Sequence, residues 1–85
     1  MSYSVYIIKS LKTGLHYIGH TSDIEDRLRR HNEDRSKYTK GKGPWEVVIS
    51  YRCRTKSEAY QLEVKLKSYK NHQKAINYLK NLSQG

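Results

Sequence analysis

The sequence predicts an α+β domain, a three-stranded antiparallel sheet flanked by helices in the order β-β-α-β-α-α. Three observations predict it. Two Val/Ile/Tyr-rich segments lie on either side of "SLKTG", as in a strand, a turn and a return strand. A third segment, "WEVVISYRCR", alternates apolar and polar residues. The other patterned stretches repeat apolar residues every three or four positions behind residues suited to helix caps. Helices gathered on a small antiparallel sheet give the α+β class.

The first strand is residues 3–9, "YSVYIIK". Gly14 turns the chain, and residues 15–19, "LHYIG", return; Gly19 is expected to end that strand. "TSDIEDRLRRHNED" follows as a helix, with Ser22 as N-cap and Glu25 at the capping-box spacing. Ile24 and Leu28 set its buried stripe. At about 100° per residue, Arg27 and His31 fall beside that stripe, while Asp26, Arg29 and Arg30 point further away. Residues 35–44, "RSKYTKGKGP", mix basic residues with Tyr38, two Gly and the only Pro, and read as a loop.

In the third strand Trp45, Val47, Ile49, Tyr51 and Cys53 are the inward residues, alternating with Glu46, Ser50, Arg52 and Arg54. Thr55 and Glu58 repeat the capping-box spacing before a second helix with the stripe Ala59, Leu62, Leu66 and Tyr69. Glu63 falls within that stripe, and an inward carboxylate requires a cation or hydrogen-bond donors. Asn71 caps a last helix whose inward side is Ala75, Ile76, Leu79 and Leu82.

Composition narrows the function. The 85 residues are expected to form one domain, 1–85, with a small core. Seventeen Lys and Arg against eight Asp and Glu give a net charge of +9, which suits a polyanion such as nucleic acid. Charge for solubility or for an acidic membrane surface is the plainer alternative. No apolar run of about 20 residues could span a bilayer, and no signal peptide is visible. The one cysteine, Cys53, excludes an intrachain disulfide framework and a Cys-based zinc site. These features fit a cytoplasmic protein. Phe is absent and Tyr occurs eight times, so several phenol hydroxyls need hydrogen-bonding or chemical roles.

The residues that could carry chemistry are two strand tyrosines, Tyr6 and Tyr17, an Arg and a His one helical turn apart, and the inward Glu63. Phosphodiester hydrolysis uses such parts: a base for water, a cation for the phosphorane charge and a carboxylate for a metal. Each also has a plain structural reading. The tyrosines could be a cross-strand pair, Arg27 a snorkelling surface residue, and Glu63 the i+4 partner of Lys67. His20 reads as an exposed bystander, and His16 and His72 as surface residues.

Taken in order, the motifs resemble the GIY-YIG nuclease domain, in particular its small stand-alone bacterial members, which are similar to the N-terminal nuclease domain of UvrC. Ser4-Val5-Tyr6 stands where the family has Gly-Ile-Tyr; Tyr17-Ile18-Gly19 is intact. "TSDIEDRLRRHN" places Arg27 at the family's arginine position and His31 one turn on. "SKYTKGKGPW" resembles the small members' Ser-Lys…Thr…Gly-Pro-Trp segment, and "SEAYQLEVKLK" places Glu63 at the metal-ligand position. The match runs from about residue 3 to about residue 80 in one consistent order, which makes weak single motifs strong together.

The resemblance implies a metal-dependent endonuclease acting on DNA, whether duplex, branched or single-stranded, in repair or recombination. One divalent ion, Mg2+ or Mn2+, would sit on Glu63. Tyr6 and Tyr17 would flank the attacking water, Arg27 would face the scissile phosphate, and His31 would relay a proton or position the phosphate. Arg35, Lys37, Tyr38, Lys40 and Lys42 are candidates for gripping the nucleic-acid backbone and stacking a base. Larger relatives carry a separate DNA-binding region, for which this length leaves no room, so weak or structure-selective cleavage is expected, with targeting left to a protein partner. Monomer and homodimer both remain open, and no membrane association is expected. Ser4 in place of the motif glycine leaves a second reading, a binding module of the same fold without turnover. A protein-interaction domain whose charge only keeps it soluble is the third.

Overall fold

The computed structural model describes residues 2–33, 37 and 39–84. The elements follow the predicted order: β1 (Tyr3–Ser10), β2 (His16–Thr21), α1 (Ile24–Asn32), β3 (Trp45–Cys53), α2 (Lys56–Ser68) and α3 (His72–Gln84). β1 is the central strand, antiparallel to both neighbours, in the order β2-β1-β3.

A central strand covered on both faces has no polar side, and β1 meets that demand with four consecutive buried residues, Val5 to Ile8. Val5 and Ile7 join Ala59 and Leu66 of α2 and Ala75, Ile76 and Leu79 of α3 in one core. Tyr6 and Ile8 pack on the opposite face with Trp45, Tyr17 and the α1 residues Ile24 and Leu28. The sheet therefore lies between α1 on one side and α2 with α3 on the other.

β3 corrects the expectation of a single inward face. Its apolar residues do alternate, but Ile7 pairs with Ile49 while Ile8 pairs with Val47, leaving Val48 as a bulge. Trp45 and Val47 consequently pack with the α1-side cluster, and Ile49, Tyr51 and Cys53 with the other.

Two further expectations are corrected. β2 does not stop at Gly19: it runs to Thr21, with Gly19 paired to Tyr6. The glycine serves clearance, because a Cβ there would lie 2.7 Å from the Tyr6 hydroxyl oxygen. The N-cap of α1 is Asp23, not Ser22; its carboxylate accepts the Asp26 backbone N–H at 3.0 Å. Thr55 caps α2 as expected, accepting the Glu58 N–H at 3.1 Å, and Glu58 returns a bond to the Arg54 N–H. Asn71 caps α3 through the N–H of Gln73. Between α2 and α3 the chain turns through Lys70 at φ +56°, a left-handed conformation that usually calls for glycine.

Ser4 lies within the regular pairing of β1, opposite Thr21 and Arg52. Its φ is not positive, so a side chain in place of the motif glycine strains nothing in the backbone.

Candidate active site

The hairpin brings the two tyrosines together. Tyr6 projects from β1 beneath Gly19, and Tyr17 stands two positions along β2 on the same face, so the rings lie diagonally across the strand pair. Their centroids are 6.3 Å apart and the planes are within 7° of parallel. The structural reading of a cross-strand pair is therefore correct, and it does not exclude a chemical role.

α1 supplies the next two groups from the buried side of the helix. His31 has no solvent exposure. Its Nε2 is 3.0 Å from the Tyr6 hydroxyl and its Nδ1 is 2.7 Å from Oγ1 of Thr39. In the neutral imidazole one nitrogen donates and the other accepts, so the hydroxyls of Tyr6 and Thr39 must take complementary roles. Arg27, one turn earlier, packs its guanidinium against the phenol groups of both Tyr6 and Tyr17. It is half-buried, not a snorkelling surface residue.

These contacts set the protonation states. Burial raises the Tyr6 pKa above its ordinary 10; Arg27 opposes that rise, while Tyr17 and the negative charge of Glu63 add to it. The His31 pKa is lowered from 6.5 to about 4, first by burial and then by the charge on Arg27. At neutral pH the free protein thus presents a protonated phenol, a neutral imidazole and a guanidinium in one cluster.

Glu63 reaches the site from α2. Its Oε1 lies 2.7 Å from Nδ1 of His20, and its Oε2 accepts from Lys67 Nζ at 2.9 Å. The inward carboxylate has the donors its position demanded. Lys67 in turn stands 5.9 Å from the centroid of the Tyr17 ring, linking Glu63 to the tyrosine pair. Among the described residues no three His, Cys, Asp or Glu side chains converge as a metal cage. A single partly open carboxylate suits a hydrated divalent ion completed by water and substrate phosphate, the usual manner for Mg2+. The donor set therefore fits one ion on Glu63, with Lys67 as the charge it would displace.

Three roles escaped the sequence reading. His20 is not an exposed bystander: it is half-buried and bonded to Glu63. Thr39 is buried and buttresses His31, and its carbonyl accepts the Trp45 indole N–H at 3.3 Å. Asn32 clamps the start of β3 by accepting the Trp45 backbone N–H at 2.6 Å and donating to the Trp45 carbonyl. His16 and His72, read as surface residues, stack face to face with centroids 3.8 Å apart, and His16 is half-buried.

Of the loop candidates, Lys37 and Lys40 are exposed and Lys42 is half-buried, its carbonyl accepting the Ser10 hydroxyl. Lys42, Lys67 and Tyr17 border a cleft of about 540 Å³ between β2, the loop and the α2–α3 turn. Arg35 and Tyr38 lie outside the described residues.

The sheet thus lies between one helix and two, and tyrosines of adjacent strands meet an Arg and a His of the next helix in an α+β domain. The chain belongs to the GIY-YIG family, a family of nuclease domains: the model of the GIY-YIG catalytic domain matches residues 2–77. It is 38% identical over 82 residues to a UPF0213 protein of Staphylococcus saprophyticus, covering 95% of this chain and 94% of that one. A UPF0213 protein of Halalkalibacterium halodurans is 33% identical over 75 residues, covering 87% and 79%. The solution NMR structure of a UPF0213 protein from Bacillus halodurans aligns with a TM-score of 0.49 at 35% identity, over 80% of this chain and 72% of that one. No helix among the described residues is long and apolar enough to cross a membrane.

Proposed function

We propose that this protein is a metal-dependent endonuclease that hydrolyses phosphodiester bonds in DNA, acting in the cytoplasm in repair or recombination. The observation that carries the reading is the joining of Tyr6, Tyr17, Arg27 and His31 in one cluster, with Glu63 close enough for its charge to act on Tyr6.

In this reading Arg27 binds the scissile phosphate and offsets the charge that develops on its oxygens. Tyr6 is the base. Its oxygen takes a proton from the attacking water while its own proton passes along the hydrogen bond to Nε2 of His31, whose Nδ1 hydrogen is held by Thr39. In the free protein both pKa shifts oppose that transfer, since the phenol holds its proton and the imidazole declines one. The anionic phosphate weakens the effect of Arg27 on His31 and so favours the imidazolium. Tyr17, parallel to Tyr6, orients the water. Glu63 would hold one Mg2+ or Mn2+, which supplies positive charge that favours ionisation of water or phenol. Lys37, Lys40 and Lys42, with Arg35 and Tyr38, would follow the nucleic-acid backbone.

The test is cleavage of labelled single-stranded, duplex, flapped and branched DNA, with and without Mg2+ or Mn2+, beside Glu63→Ala and Tyr17→Phe. Metal-dependent cutting that Glu63→Ala abolishes is the expected result. DNA binding without cutting in either metal, unchanged in Glu63→Ala, would mean that the fold serves as a binding module.

A further inference from the structure

The pairing of His20 with Glu63 carries an inference that rests on the proposed metal role of Glu63 and goes beyond it. We infer that His20 and Glu63 together form a mixed nitrogen–oxygen site, which takes a first-row transition ion of the Mn2+ or Co2+ kind in preference to Mg2+.

The geometry comes from the hairpin register. Because β2 continues through Gly19, His20 falls on the opposite face from Tyr17, opposite Val5 and toward α2. Glu63 is the α2 residue that meets it, with Nδ1 and Oε1 2.7 Å apart. Two donors that share one cation at about 2.1 Å, at a right angle, stand about 3.0 Å apart. An opening of a few tenths of an ångström converts the hydrogen-bonded pair into a chelating pair. The proton between them is then carried on Nε2, so the imidazole ligates as a neutral group.

Access and chemistry agree with the geometry. The side chains of His20 and Glu63 are 21% and 14% exposed, so solvent reaches the pair, and Lys67, bonded to Oε2 at 2.9 Å, would swing aside as an ion enters. The Tyr60 ring stands edge-on to the imidazole, with centroids 6.2 Å apart. Mg2+ prefers an all-oxygen shell, and imidazole shifts preference toward Mn2+, Co2+ and Zn2+. With Glu63 alone as ligand the preference would be small and would not depend on residue 20.

The test is direct metal binding by the full chain in the absence of DNA. Calorimetric titrations with MgCl2, MnCl2 and CoCl2 are run on the parent, His20→Ala, His20→Gln and Glu63→Gln, and visible spectra of the Co2+ samples report nitrogen ligation. The parent should bind Co2+ and Mn2+ at least about tenfold more tightly than Mg2+. His20→Ala should lose about tenfold for Co2+ and Mn2+ and leave Mg2+ within about twofold. His20→Gln keeps a side chain able to bond Glu63 and should lose the same preference, so failure of His20→Ala to fold leaves the question answerable. Glu63→Gln should weaken binding of all three ions. Equal affinities in the parent, or Co2+ affinity and spectrum unchanged in both His20 variants, would overturn the inference. DNA cleavage in Mg2+ with no His20-dependent metal preference would remove the mixed site alone and leave the nuclease reading standing. His20-dependent Co2+ binding in a protein that cuts no DNA would remove the nuclease reading and keep the mixed site.

Discussion

The contact of Tyr6 with His31 is the smallest unit in which stability and the proposed chemistry meet. Replacing Tyr6 by Phe removes one hydroxyl from a buried pair. It should lower kcat by about 10²- to 10⁴-fold while unfolding free energy falls by about 1–3 kcal/mol, because the buried His31 Nε2 loses its partner. Single-turnover cleavage and urea titration measure the two effects. His31 makes a separate prediction about stability. It takes up a proton near pH 6.5 when unfolded and only near 4 when folded. The folded protein should therefore keep this contribution above pH 6.5 and lose it as the pH falls toward 4, by on the order of 3 kcal/mol. Urea titrations across that window should show the loss, and His31→Gln should flatten it. Gly19→Ala tests the clearance over Tyr6. The added Cβ meets the phenol at 2.7 Å and should cost about 1–3 kcal/mol, partly recovered in combination with Tyr6→Phe. At this scale Tyr6, Tyr17, Arg27 and Glu63 were legible because motif order and helical angle place them. His20 was not, for a definite reason. A glycine taken as the end of a strand removes the alternation that would have aimed the next residue at α2.

Helix ends show how nearly a sequence can be right. Ser22 and Asp23 are both good N-cap residues, and Glu25 and Asp26 both follow at capping distance, so the pattern fits two registers one residue apart. The structure selects Asp23 because β2 continues through Thr21, whose hydroxyl accepts the Asp23 N–H and organises the turn. Asp23→Ala should then cost about 0.5–2 kcal/mol, while Ser22→Ala should be nearly neutral in the same thermal melts. Thr55 was unambiguous because no second cap residue flanks it at the same spacing. The α2–α3 connection offers the opposite experiment. Lys70 occupies a left-handed conformation, and Lys70→Gly should raise stability by about 0.5–1 kcal/mol. The bulge at Val48 was illegible for a related reason. Alternation reports which residues turn away from water, and both faces of this sheet do that.

For the whole molecule, the predicted class and element order match the structure, because hairpin, alternating strand and capped helices were each written locally. Which face each helix covers was not, since that depends on register between distant segments. The net charge of +9 acts at this scale too. DNA binding should weaken steeply between low and physiological salt, with a log–log slope that falls by about one for each backbone-contacting lysine removed. Lys37→Ala and Lys40→Ala, read by fluorescence anisotropy, measure it. With Tyr6 passing its proton to a neutral His31, the cleavage rate should rise with pH as His31 gives up its proton and then stay level through neutral pH, and a log rate still climbing linearly toward alkaline pH would remove His31 from that relay. Finally, the β3 bulge has a consequence for life in a crowded solution. Among the described residues no strand pairs with the outer edge of β3, so a nine-residue ribbon of backbone is open to a second molecule. Glu46 and Arg52 set charges along that ribbon, and the irregularity at Val48 breaks its spacing. A foreign strand cannot zip along it in register, and the same kink that feeds two cores also guards the sheet against growing into a fibre.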